Sequence, residues 1–228
     1  QDSSSAASDV YKRQIQVMLD PSDCGPATIA MSQDVQGESF DYPEVFFEEK
    51  VHEIRRVHPD PSQINQAVEK IKNSKQPIII SGGGVLYSEA EQELSKFAKK
   101  HNIPVTSTVM GIGCMTKDDP YYISAVGALG EGSSNSLSKD TDLALAIGTK
   151  LADFTTGSWA NFENPNFKLV SVNTARYDTT KHLATPVISD AKVGLQKISE
   201  ALGDWKASDD WYKSCLLYTS DAADELSC

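Results

Sequence analysis

From Pro77 onward, short apolar runs alternate with stretches whose apolar residues recur every three or four positions. Pro77–Ser81 (PIIIS) is rich in β-branched residues and bounded by Pro and Gly, which predicts a buried strand. Ala90, Leu94, Phe97 and Ala98 then share one helical face. Ser88 followed by Glu91 has the spacing of a capping box, so the helix is expected to start at Ser88. Glu89, Glu91 and Glu93 lie at its start and Lys96, Lys99 and Lys100 at its end, each sign matching the helix dipole. Asn102 and Pro104 close it, and Ile103–Met110 resumes as a strand. The stretch is one β-α-β unit.

The same grammar extends in both directions. Ser62 is a plausible N-cap for a helix with Ile64, Ala67, Val68 and Ile71 on one face. Gly111–Gly132 has no clear period, and a short helix is expected near Glu131–Lys139. DLALAIGTKL, KLVSVNT and TPVIS read as three more strands. SDAKVGLQKISEALG reads as a helix capped by Ser189 or Asp190 and stopped by Gly203. Ile78–Ile80, Val105–Thr108, Leu143–Ile147 and Leu169–Val172 are expected to be inner strands of a parallel sheet, buried on both faces. The expected fold is α/β, a doubly wound parallel sheet over residues 62–203. Residues 15–42, with an expected strand at Ala27–Met31, read as the tail of a preceding α/β domain. Residues 43–61, with Pro43, Pro59 and Pro61, read as a linker, and 204–214 as the start of another.

Both ends change how much of the chain belongs to this pattern. Ser4–Gln14 (SSAASDVYKRQ) back-translates to a DNA string whose reverse complement, in a shifted frame, encodes Cys215–Glu225 (CLLYTSDAADE). That string also resembles a sequencing-library transposase adapter. Residues 1–14 and 215–228 are therefore expected to be translated adapter, foreign to the fold and burying little apolar area. Three of the acidic residues behind the formal net charge of −11 (Asp221, Asp224 and Glu225) sit in that tail. The remainder is still acidic, which argues against nucleic acid or an anionic membrane as partner. Outside the tail only Cys24 and Cys114 occur, without disulfide or metal spacing, as suits a reducing cytoplasm.

Candidate chemistry is sparse. Gly82, Gly83 and Gly84 follow a strand and precede a helix, where backbone amides can meet a phosphate. The spacing is not G-x-G-x-x-G, no acidic residue ends the next strand, and no P-loop lysine follows. A glycine-built strand–helix turn is the competing reading. Gly111 and Gly113 follow the next strand, and Thr149 and Asp153 follow LALAI at the carboxyl edge where open α/β sheets bind ligands. These seven residues form the candidate ligand edge. His52, His58, His101 and His182 lack ligand spacing, and His101 is expected as a cationic group at a helix end. No catalytic nucleophile–base pair and no metal set can be assembled.

The order of segments adds what motifs do not. GPATIAMSQDVQ, a proline-bearing linker, QPIIISGGGV, IPVTSTVMGIG, TDLALAIGTKLADFTTG and FKLVSVNTARYDTTKHLATPVISDAKVGLQKI together resemble thiamine-diphosphate enzymes of the acetolactate synthase type. Within them, DVQGESFDYPEVFFEEKVHEIRR, ADFTTGSW and ARYDTTKHLATPVISDAK are most similar to the branch that hydrolyses a C–C bond of cyclic 1,2-diones in myo-inositol catabolism. Acetolactate synthases more typically show an Arg-Phe-Asp-Asp-Arg run where this chain has Lys150–Phe154. The resemblance implies a Rossmann-like central domain preceded by the end of the pyrimidine-binding domain. It implies thiamine diphosphate and Mg²⁺ in the intact parent, with the activating glutamate upstream of Ile15 and the Mg²⁺ ligands beyond Ser214. FAD is possible on such a domain but not expected. The implied parent is a cytoplasmic homodimer or homotetramer acting on a small cyclic diketone. Acetolactate synthase, a related decarboxylase, or a nucleotide-binding module of the electron-transfer flavoprotein type remain the alternatives.

Overall fold

The computed structural model describes residues 12–224, with side chains as far as residue 217. The chain divides into two units, Gln1–Arg55 and Arg56–Cys228.

In the first unit, residues 12–19 are helical. A helical turn at Gln33–Gln36 and a 3-10 turn at Glu44–Phe47 follow, neither with a buried residue. The strand expected at Ala27–Met31 is not formed, and those residues are exposed. An apolar run becomes a strand only when a neighbour takes its amides and carbonyls, and the described part of this unit contains no strand.

The second unit is built on six parallel strands: β1 (Pro77–Ser81), β2 (Val105–Ser107), β3 (Tyr122–Ala125), β4 (Leu143–Ile147), β5 (Lys168–Asn173) and β6 (Thr185–Ile188). Their order is β3-β2-β1-β4-β5-β6, and every adjacent pair is parallel. The doubly wound expectation holds. Ile79 sits level with both Val105 and Leu145, which centres β1 and β4 in the sheet.

Alternation along each strand makes two cores. Ile79, Val105, Leu145, Val170 and Val187 meet three helices, α1 (Pro61–Lys72), α3 (Glu91–His101) and α7 (Ala191–Leu202). The helix between β1 and α3, α2 (Gly83–Tyr87), adds Val85 to that core. Ile78, Ile80, Ala144 and Ala146 face the other side, with Leu137 of α4 (Gly132–Asp140) and Trp211 of the last helix, α8 (Asp209–Asp224). There the β4–β5 crossover holds the four-residue turn α5 (Asp153–Thr156), and its Trp159, Phe162 and Phe167 cover what a longer helix would. Between β5 and β6 lies α6 (Arg176–Thr180). Ile78, Ile79 and Ile80 are fully buried, each contributing roughly 1.5–3 kcal/mol relative to exposure.

Helix starts depart from the local signals for tertiary reasons. Asp60, not Ser62, caps α1: its carboxylate accepts from Ser62 N at 2.7 Å, with Pro61 as the first helical residue. Proline's fixed φ suits that position, so the cap falls at Asp60, two residues earlier than expected. Ser88 does not start α3. It ends α2, its hydroxyl accepts from Ala191 N at 3.3 Å and its carbonyl from Arg56 at 2.7 Å. Distant partners thus take the groups a capping box would have used, and α3 begins at Glu91 without a side-chain cap. On α7 the cap is Asp190, accepting from Val193 N at 3.1 Å.

The carboxyl end corrects another expectation. The helix α8 runs from Asp209 through Cys215 without a break. Cys215 is fully buried in the second core beside Trp211, whose indole N–H donates to Pro77 O at 2.9 Å. A small apolar side chain one turn beyond Trp211 enters the same seam whatever its origin. That residue is not idle. The expectation for residues 1–11 and 218–228 lies outside the residues whose side chains are described.

Candidate functional site

The sheet order reverses between β1 and β4, so the loops leaving them diverge to opposite sides. In doubly wound sheets that divergence opens a crevice for a ligand. Here the two loops close on each other. Gly82 N donates to Ile147 O at 2.8 Å and Gly84 N to Gly148 O at 2.9 Å. A Cβ at Gly84 would stand 2.6 Å from Gly148 Cα, and one at Gly82 would lie 2.6 Å from Thr149 Cβ. Gly148 itself has φ +60°, a left-handed conformation that glycine adopts without strain. The glycines let two backbones touch, and the Gly82 and Gly84 amides already have carbonyl partners.

The other candidate residues extend the same knot or lie at its rim. Gly83 is half-buried, and a Cβ there would be 3.2 Å from Met110 O. Gly111 packs on Ser81 and Gly82, and its amide donates to Thr108 O at 2.8 Å and to Thr108 Oγ1 at 3.1 Å. Thr149 is buried: its Oγ1 accepts from Leu151 N at 3.2 Å, and its carbonyl accepts from Asn173 Nδ2 at 3.2 Å. Gly113, at φ +99°, has open space around it, and Asp153 is exposed at the start of α5. Gly82, Gly84, Gly111 and Thr149 come together, therefore, whereas Gly113 and Asp153 do not join them.

Sequence reasoning missed the partners that complete the knot. Gly148 follows LALAI directly, a visible signal, but its facing Gly84 depends on the β1–β4 pairing. Asn135 ties down the loop after β3, accepting from Gly127 N at 2.9 Å and donating to Gly127 O at 3.0 Å. Gly127, at φ +114°, in turn presses its Cα against the Phe154 and Thr155 backbone.

Reactive groups of the second unit are quiet. Cys114 donates to Gly82 O at 3.4 Å, and burial pushes its thiol up to about 11, so no thiolate nucleophile forms at neutral pH. His101 is not the cationic helix end expected from sequence. It is fully buried, with Nδ1 2.8 Å from Trp205 O and Nε2 2.9 Å from Ser199 Oγ. Burial lowers its pKa, which the carbonyl of Trp205 partly opposes. Among the described residues no group of three or more His, Cys, Asp or Glu could hold a metal. Two hollows of about 490 Å³ lie at the opposite, amino edge of the sheet, one beside Gln76 and Trp211, the other beside Trp159, Lys168 and His182. No helix among the described residues is long and apolar enough to cross a membrane.

Known proteins match the chain over most of its length. A family model described as "Thiamine pyrophosphate enzyme, central domain" matches residues 64–198. The chain is 43% identical over 188 residues to a 3D-(3,5/4)-trihydroxycyclohexane-1,2-dione hydrolase of Clostridium tetani, covering 82% of this chain and 29% of that one. It is 40% identical over 191 residues to the hydrolase of the same name in Geobacillus thermodenitrificans, covering 84% and 30%. With its namesake in Bacillus cereus the identity is 37% over 210 residues, covering 92% and 32%. The chain thus spans about 30% of the length of these relatives.

Proposed function

The chain belongs to the thiamine pyrophosphate enzyme family through its central domain, and from that membership we propose that it is the scaffold portion of a ring-opening hydrolase. The substrate is a trihydroxycyclohexane-1,2-dione, and the bond cleaved is a C–C bond of the ring. One observation carries this reading: the 43% identity to the Clostridium tetani hydrolase extends over 82% of this chain.

Thiamine diphosphate, when bound in such an enzyme, supplies the electron sink for cleavage beside a carbonyl. The described residues do not fit its diphosphate or the Mg²⁺ that accompanies it. Gly82 and Gly84 amides are spent on carbonyls, and no carboxylate cluster stands at the carboxyl edge. No catalytic step is assigned to this chain. Its contribution is to hold the loops of the carboxyl edge in fixed positions. The paired Gly82 and Gly84 amides and the close Gly84–Gly148 contact argue against FAD or ADP at the glycine turn. A cytoplasmic location and a homo-oligomeric parent are part of the proposal, the first supported by the free thiols Cys24 and Cys114.

The test is a chimera in which residues of this chain replace the matching stretch of the Clostridium tetani hydrolase. Ring opening of the dione, measured with thiamine diphosphate and Mg²⁺ present, is expected to persist. A folded chimera that forms acetolactate from pyruvate and leaves the dione intact would overturn the assignment. Isothermal titration of the chain alone is expected to show thiamine diphosphate binding no better than background.

A further inference from the structure

A hollow of about 490 Å³ opens at the amino edge of the sheet, beside the first residues of β5 and β6. That volume is within the range small ligands occupy. Its wall is aromatic. Trp159 lies 5.5 Å from Phe162 and 6.4 Å from Phe167 between ring centroids, and the His182 ring stands edge-on to Trp159 at 4.4 Å. Its charges are all positive. Lys70 lines it from the last turn of α1, Lys168 from the start of β5, and no acidic residue lines it. That is unexpected in a chain with 32 Asp and Glu against 21 Lys and Arg. Among the described residues neither lysine is in a salt bridge, and Glu163 and Asp178, on the segments that carry the wall, are held by Lys139 and Lys181. The backbone here is also strained. Trp159 has φ +70°, His182 +59° and Leu183 +57°, left-handed values that L side chains rarely adopt. Such residues persist where the surroundings over-determine them, and they gather at ligand clamps.

We infer that this hollow binds a small organic anion, a flat apolar ring that carries a carboxylate or phosphate group. Trp159 and Phe167 receive the ring, because aromatic side chains pair with a flat apolar partner by face or by edge. Lys70 and Lys168 meet the head group, their ammonium groups donating charge-assisted hydrogen bonds to its oxygens. An uncharged ring leaves both ammonium groups unanswered, and a bare inorganic anion leaves the aromatic wall uncovered. A cationic ligand meets like charge from both lysines. The inference concerns residues of this chain alone and holds whichever reaction the longer enzyme performs.

Ligand-observed NMR on the full chain tests it. Benzoate and phenyl phosphate should each bind with a dissociation constant of about 1 mM, the scale for ligands of so few atoms. Benzyl alcohol, a ring without charge, and inorganic phosphate, a charge without a ring, should each compete about 10-fold less well, since each keeps half of the recognition. Whichever aryl anion binds more tightly names the head group, and either order upholds the inference. Lys70→Met and Lys168→Met keep an apolar stem and remove the charge, and each should weaken binding about 5-fold. His182→Asn, a residue that also tolerates a left-handed φ, should weaken it about 3-fold by removing the ring beside Trp159. Lys197→Met, at an exposed pair with Glu200, should change nothing. Urea unfolding checks that each variant is folded. Failure of the parent chain to bind either aryl anion overturns the inference without any variant. Benzyl alcohol competing as well as benzoate makes the hollow a plain apolar dent, and phosphate competing as well as phenyl phosphate leaves the rings no part; either result overturns it. Unchanged affinity in folded Lys70→Met and Lys168→Met chains places the anion elsewhere and also overturns it.

Discussion

Replacing Gly84 with alanine separates the two roles a glycine-rich turn can have. The added Cβ would lie 2.6 Å from Gly148 Cα, 3.0 Å from Gly148 O and 3.2 Å from Gly148 C. All three are backbone atoms, so no side-chain rotation relieves the contact, and the β1 and β4 loops must separate. Separation weakens the Gly84 N to Gly148 O bond as well. Overpacking of this kind costs about 1–3 kcal/mol. In a domain of this size each kcal/mol lowers the melting temperature by roughly 2–4 °C, so a drop of about 2–12 °C is expected for Gly84→Ala. Gly132→Ala is the matched control. Its Cβ would meet nothing within 4 Å, its φ is not positive, and it opens the helix Gly132–Asp140. Removing freedom from the unfolded chain should there stabilise by about 0.4–1 kcal/mol. Thermal and urea unfolding followed by far-ultraviolet circular dichroism reads both. Gly84→Ala melting within a degree of the parent would refute the packing argument. If that variant instead lost a measurable affinity for ADP or FAD, the glycine would be a ligand contact.

Three further outcomes are expected. His101 has a lowered pKa because it is buried, so its contribution to stability is complete above its ordinary value near 6.5. That contribution is lost as the pH falls through the folded value, because the unfolded chain binds a proton that the folded chain refuses. Urea midpoints between pH 7.5 and 5 should therefore fall more steeply for the parent than for His101→Gln, and parallel slopes would dismiss the idea. Iodoacetamide applied to the native chain at pH 8 should label Cys24, which is exposed, and spare Cys114 and Cys215. Burial pushes those two thiols up to about 11 and about 12, and rapid labelling of either, mapped by mass spectrometry, would contradict the packing described. Ending the chain after Ser214 should lower stability by about 1–2 kcal/mol, the scale for burying a small apolar side chain. An unchanged urea midpoint would mean that Cys215 contributes nothing to the core.

Much of the sheet was legible in the sequence, because a strand buried on both faces must be apolar throughout. Ile78–Ile80, Leu143–Ile147 and Leu169–Val172 carry that signal in their own residues. β3 (Tyr122–Ala125) was not legible, since it is short and sits in a glycine-rich stretch without a period. Ala27–Met31 shows the converse, an apolar run with no described neighbour to pair with. Helix ends followed partners the local pattern does not contain: Arg56 and Ala191 claim Ser88, and Trp205 and Ser199 claim His101. The candidate site shows the division most clearly. Three glycines after a strand are compatible with either a phosphate or a packed turn, and the sequence alone left both open. The parallel pairing of β1 with β4 brought Gly148 against Gly84 and gave the amides carbonyl partners. Periodicity records which face of an element is buried, because burial acts on each residue separately. Which backbone fills a crevice depends on strands more than 60 residues apart meeting in one register, and that is a property of the folded sheet.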